Sequence, residues 1–196
     1  MTTTAPGTDH PEPEPAPAPA ARRRRSAVVG WLLWLVPAIL IGTGLKTYVA
    51  EPYRVPSGSM TPTIEPGDWI VANKLADDLT DFGYGDLVVF LPPPSVEDEV
   101  DALVKRIIGL PGDQIDFVDG VVVRNGDTLD ETYLTAGTVT TPKGTESVVV
   151  PDDAFFVLGD NRGSSIDSRI YGPVVGENII GRASLRLWPL PDAGGL

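Results

Sequence analysis

The sequence predicts a mainly β, antiparallel domain carried on one N-terminal transmembrane helix. Three observations lead there. A charge-free apolar run lies near the N-terminus; after it, short β-like segments recur between turn signals without long helical periodicity; and Asp-Gly and Asn-Gly pairs sit where tight hairpins would close.

The first element is a tail. Residues 1–25 are rich in Pro, Ala and Glu, too poor in large apolar side chains to bury a core, and end in the cluster Arg22–Arg25; they are expected to be disordered and cytoplasmic. The second is a span over 26–46. Between Ala27 and Leu45 the chain carries no charge, and this stretch as a helix is about 28 Å long, close to the roughly 30 Å of a hydrocarbon core. A buried core helix and a cleavable signal peptide are the competing readings. The run is long for a signal, and "KTYVAEPYRV" offers no small-x-small cleavage site. The positive-inside bias holds the arginines in the cytoplasm and puts 47–196 outside, which makes the chain a single-pass membrane protein with its folded domain extracytoplasmic.

Charge excludes one class of partner. Of 27 Asp and Glu and 15 Lys and Arg, 24 and 10 lie beyond residue 50, so the outer domain is strongly acidic and lacks the basic stripe that nucleic acid requires. There are 0 cysteines, and the single histidine, His10, is in the tail. Disulfides, thiolate chemistry and imidazole bases are therefore excluded.

In the outer domain the β-like runs are "DWIVANK", "DLVVF", "ALVKRIIG", "QIDFV", "GVVVRNG", "ESVVV", "AFFVLGD" and "NIIGRASLRLW". Asp119-Gly120 and Asn125-Gly126 mark two turns. The absence of βα alternation argues for antiparallel sheets or a partial barrel. "LPPPSVEDEVD", Leu91 to Asp101, reads as an exposed acidic loop.

Without cysteine or a folded histidine, a hydrolase here needs a hydroxyl with an unusual base, a carboxylate pair or an oxygen-held metal. No calcium-type ladder is present, and no metal or other cofactor is expected. Beyond the span there are three lysines. Lys143 is in a turn, Lys74 stands beside acidic residues, and Lys105 interrupts an apolar strand with Leu103 and Ile107 on its face. Burial would lower its pKa from about 10.4 toward roughly 8 at a cost of about 3 kcal/mol. The strand by itself favours the commoner outcome, a snorkelling head group.

Ser59 in "PSGSM" is equally undecided alone. Gly58 permits close backbone approach, Ser57 offers a hydroxyl, and the Ser59 amide could face an oxyanion. No G-x-S-x-G surrounds it and no S-x-x-K begins at it. A third cluster, "GDNRGSSIDSRIYGPV", places Asp160, Arg162, Asp167 and Arg169 in one loop, as surface ion pairs or as a buried scaffold.

Taken together, "YRVPSGSMTPTIEPGD", "GDLVVF", "VKRIIGLPGD" and "GDNRGSSIDSRIYGPV" resemble, in order, the boxes of bacterial type I signal peptidases, and "DGVVVRNGDTLDETYL" resembles that family's intervening hairpin. The resemblance runs over residues 28–187. It implies a signal-peptidase-like fold and a membrane-bound serine endopeptidase that removes signal peptides from exported preproteins. It also implies roles: Ser59 as nucleophile, Lys105 as general base, Ser57 with the Ser59 amide as oxyanion hole, and Ser165 orienting the Lys105 amine. Met60 would shape the pocket; Arg106, Asp160, Arg162, Asp167 and Arg169 would be scaffold. Implied partners are signal peptides with small residues at −1 and −3, and the lipid bilayer, with Trp188 and the flanks of Ser59 touching it. Gly163 departs from the family, standing where an acidic residue is common. Two other readings stay open: a catalytically silent membrane-anchored β domain that binds exported proteins, and a Ser/Lys peptidase dedicated to one substrate.

Overall fold

The computed structural model describes residues 2, 21–75, 82–96, 100–144 and 146–196, with the backbone alone for 21–29 and 45–48. The expected disordered tail thus lies outside the described residues but for Thr2 and the backbone of 21–25. Two compact units emerge, 1–42 and 43–196.

The first unit is occupied by most of helix α1, Ala21–Tyr48, 28 residues long and continuous through Pro37. Leu, Val, Ile and Trp dominate it, and its described side chains from Trp31 to Thr43 are all exposed. Among the described residues no helix is long and apolar enough to cross a membrane. The side chains at both ends of the expected span, 26–29 and 45–46, lie outside those residues.

The second unit is β-rich. Its first strands are β1 (Ala50–Arg54), β2 (Trp69–Asn73), β3 (Leu87–Phe90) and β4 (Leu103–Gly109). There follow β5 (Gln114–Val118), β6 (Val121–Arg124), β7 (Asp127–Thr128), β8 (Ser147–Val149) and β9 (Ala154–Leu158). The chain ends with the one-turn helix α2 (Ser168–Tyr171), β10 (Val174–Val175), β11 (Ile179–Trp188) and β12 (Gly194–Gly195). An eight-stranded sheet has the order β1-β2-β11-β3-β4-β9-β10, with β12 added to β11, and a second sheet has the order β7-β6-β5-β8. All pairings are antiparallel, as expected from the missing βα alternation.

Local chemistry explains the second sheet. Asp119 and Gly120 take φ of 49° and 84°, and Asn125 and Gly126 take 54° and 89°, the left-handed pair that a two-residue hairpin needs. Val118 accordingly faces Val121, and Arg124 faces Asp127. Each apolar run in the sequence became a strand, whereas β1, β7, β10 and β12 were not anticipated. β1, "AEPYR", is polar and carries a proline; it survives because it is an edge strand, paired only to β2.

β4 is buried on both faces. Val104 enters one cluster with Val55, Met60 and Ile70, Ile107 enters another with Val88, Phe90 and Phe155, and Ile108 joins a third with Ile115 and Leu158. One strand therefore crosses the whole interior. It pairs with β3 from Leu103 to Arg106 but with β9 only from Arg106 onward, so one edge of Leu103–Lys105 has no strand beside it.

Candidate active site

The turn after β1 carries Ser59. Its foot is apolar: Met60 and Ile64 are fully buried, and the Ile64 amide donates to the Met60 carbonyl at 3.0 Å. Met60 belongs to the core and is absent from the groove's lining, so it shapes the pocket from beneath instead of forming its wall. The turn is also held from across the domain. The Asn161 amide donates to the Ser59 carbonyl and Asn161 Nδ2 to the Gly58 carbonyl, both at 3.0 Å, while the Thr63 hydroxyl donates to Asp160 at 2.5 Å.

Lys105 comes from the middle of β4, 46 residues downstream. The snorkelling that its strand alone favours does not occur: the side chain is only 2% exposed, opposite Val88. Its Nζ donates to Ser59 Oγ at 2.8 Å and to the Val104 carbonyl at 3.0 Å. Burial pushes the ammonium down to about 8, against the opposing pull of Asp167 and Asp160. Lys143 and Lys74 are otherwise engaged. The first donates to the Ser165 carbonyl at 2.9 Å, and the second pairs with Glu51 at 2.5 Å.

Ser57 and Ser165 differ from their expected partners. Ser57 Oγ donates to Ser59 Oγ at 3.4 Å, so it is turned toward the nucleophile and would have to rotate to meet an oxyanion. Ser165 Oγ is buried and makes no hydrogen bond; the expected bond to Lys105 is not formed. Gly159 is what makes room for it: a Cβ there would collide with Ser165 Oγ and approach the Ser59 carbonyl oxygen to 2.5 Å.

The ion pairs are a buried scaffold, not surface pairs. Arg106 makes two bonds to Asp160, at 2.9 and 2.7 Å, and Arg169 makes two to Asp167, at 2.8 and 2.7 Å. Desolvation raises the Asp167 carboxyl, but the bonds and charge of Arg169 outweigh it and hold it low. Asp167 also caps α2 by accepting from the Arg169 amide, and takes the Gly159 amide at 3.2 Å. A Cβ at Gly163 would meet nothing within 4 Å, so the space there would admit a side chain.

Three participants were missed. Arg162, 1% exposed, finds its counter-charge outside its own loop; besides the Gly159 carbonyl at 3.1 Å, it donates to Glu131 at 2.9 and 2.6 Å and to Thr140 at 2.7 Å. Tyr133 donates to Glu131 at 2.6 Å, and its ring lies 3.9 Å beneath the Arg106 guanidinium. Glu131, Tyr133 and Thr140 precede Arg162 by more than twenty residues and sit in an irregular segment, so no spacing rule links them.

A groove of 660 Å³ begins at Ser59 and Lys105 and runs between β1 and the open stretch of β4, walled by Tyr53, Val55, Ile70, Ala102 and Val104. β1 and β4 are remote in strand order, so the sheet curls until both line one cleft. An exposed strand edge beside an apolar trough suits an extended peptide, with backbone pairing for affinity and alternate side chains for selection. Among the described residues no group of His, Cys, Asp and Glu could hold a metal ion.

Comparison with known proteins bears on this geometry. The signal peptidase, peptidase S26, family model matches residues 28–188. The chain is 42% identical to a probable signal peptidase I-2 of Synechocystis over 82% of this chain and 73% of that one, and 36% identical to signal peptidase I of Bacillus caldolyticus over 80% and 88%. A crystal structure of a signal peptidase I from Enterococcus faecalis is 30% identical, covering 53% of this chain and 97% of that one at a TM-score of 0.45.

The Arg162 pairing generates a test. Glu131→Ala leaves a fully buried guanidinium without its counter-charge, which costs about 3 kcal/mol or more, or about 10 °C of thermal midpoint for a domain of this size. Thermal unfolding in detergent checks it. An unchanged midpoint would mean that Arg162 finds compensation elsewhere.

Proposed function

The chain belongs to the signal peptidase, peptidase S26, family, and from that premise we propose that Ser59 and Lys105 form its catalytic dyad. The family makes it a serine endopeptidase that cleaves signal peptides from preproteins. The observation that carries the dyad is the 2.8 Å contact between Lys105 Nζ and Ser59 Oγ, made by a buried amine. His10, the chain's sole histidine, is in the tail.

The geometry supports a sequence of steps. Neutral Lys105 takes the Ser59 hydroxyl proton as Oγ attacks the carbonyl carbon before the scissile bond. The oxyanion takes hydrogen bonds from the Ser59 amide and, after rotation, from Ser57 Oγ. Lys105, now an ammonium, returns the proton to the departing amine, and an ester on Ser59 remains. Water entering the vacated site gives a proton to Lys105 while its oxygen attacks the ester; Lys105 then returns that proton to the departing Ser59 Oγ, which restores the neutral amine and the hydroxyl and frees the signal peptide's new carboxylate. Asp160 and Asp167 with their arginines fix the loop that holds the Gly58–Ser59 backbone.

Substrate selection follows from the trough. The shallow apolar wall of Val55, Ile70, Ala102 and Val104 suits small residues at −1 and −3, which point the same way in an extended chain. For the membrane, α1 with residues 26–46 is the proposed tether, the N-terminus cytoplasmic and 47–196 outside. Trp69 and Trp188 are cross-strand partners, 41% and 53% exposed, with Leu185, Leu187 and Leu190 exposed nearby in sequence. Such a patch favours the bilayer interface.

Two outcomes are expected. Ser59→Ala and Lys105→Ala should each reduce preprotein cleavage about a thousandfold or more, and the wild-type rate should rise with pH through about 8, because only the neutral amine accepts a proton. Cleavage assays of purified protein across a pH series decide it; retained activity in either variant removes that residue from the mechanism. Trp188→Ser should slow cleavage of a bilayer-embedded preprotein several-fold while leaving a short soluble peptide unaffected. Equal effects on both substrates would remove the lipid role.

A further inference from the structure

Ser59 stands where two hollows meet. The groove of 660 Å³ and a smaller hollow of 280 Å³ share Ser57, Ser59, Leu103 and Lys105, then diverge, the first toward Tyr53 and Ile70, the second toward Gly58, Asn161, Ser164 and Ile166. A substrate threaded past a nucleophile must leave it in two directions, because an extended chain advances about 3.3 Å per residue and does not fold back. The larger groove holds the open edge of β4 and takes the residues before the bond. Those after it have the smaller hollow.

We propose that this smaller hollow is the subsite for the first residue of the released chain, position +1, and that Ile166 sets its selectivity; the proposal rests on the signal-peptide reading above. Ile166 is 50% exposed although Ser165 and Asp167 on either side are fully buried. Its chain neighbours anchor the loop, and the isoleucine is left facing outward as a wall. Leu103, half-buried, supplies more apolar surface. Asn161 is committed to the Gly58 carbonyl, and Ser164 contributes an exposed hydroxyl. Val96 completes the lining, and among the described residues no ionisable side chain other than Lys105 lines the hollow. Its 280 Å³, about the volume of nine waters, admits side chains as large as Leu, apolar or hydroxyl-bearing, and in its described lining only Lys105 could meet an ionised one.

Because Lys105 is the one ionisable side chain on the described wall, a carboxylate placed at 166 should shift its preference toward a cation. The test uses the full chain in detergent and a preprotein varied only at +1 (Ala, Leu, Lys, Glu), with Ala against Phe at −1 as control. In Ile166→Asp the kcat/KM ratio for Lys over Glu at +1 is expected to rise about fivefold or more. In Ile166→Ala the ratio for Leu over Ala is expected to fall, and in both variants the −1 ratio should stay at its wild-type value. A Lys-to-Glu ratio unmoved in Ile166→Asp would overturn the proposal, as would an equal loss on every substrate. Wild-type protein indifferent to the −1 exchange would sink the signal-peptide reading and this subsite with it.

Discussion

The lysine proposed as the base has to be kept dry to be neutral near physiological pH, and the domain is organised around a buried Lys105. Lys105 sits on a strand buried on both faces, between Leu103 and Ile107 and opposite Val88. Water would return its pKa to the ordinary range; the apolar interior takes it down to about 8. Yet its partner, Ser59, must meet a substrate. Placing the serine on a turn at the mouth of the groove and the lysine behind it satisfies both demands at one 2.8 Å contact.

The buried ion pairs answer the same constraint. Asp160 and Asp167 both pull the Lys105 pKa upward, and left bare they would favour a charged, inactive amine. Burial outweighs both, and each carboxylate is bound in a two-bond fork by its own arginine, Arg106 or Arg169. Buried pairs of this kind contribute little net stability compared with apolar packing. Their effect here is geometric: through Asp160 to Thr63, and through Asn161 to Gly58 and Ser59, the last loop fixes the nucleophile turn. Arg162 extends the hold to the segment after β7 through Glu131.

Much of this could be read from the residues. The hairpins were legible because Asp119-Gly120 and Asn125-Gly126 encode a backbone conformation locally. Ser59 and Lys105 were each undecided from their own surroundings and were paired through the resemblance of the four boxes, and Lys105's burial was not legible: a lone strand cannot report that sheet and clusters cover both its faces. Edge strand β1 escaped because its pairing with β2, not its composition, makes it a strand. The Glu131–Arg162 bond spans 31 residues and depends on how two sheets are joined. Ser165 was assigned to the lysine by resemblance, and the hydroxyl's actual setting, packed closely on Gly159 because that residue has no Cβ, is a matter of tertiary packing alone.

The central claim is that one amine in this protein is neutral where ordinary lysines are charged. It is tested most directly by following the side-chain carbon resonances of isotopically labelled lysine through a pH titration of the full chain, with Lys105→Met to assign the signal. The account predicts that the resonance lost in the variant titrates near 8. If that resonance titrated above 10, burial would not be setting the amine's charge, and the mechanism built on a neutral Lys105 would be contradicted.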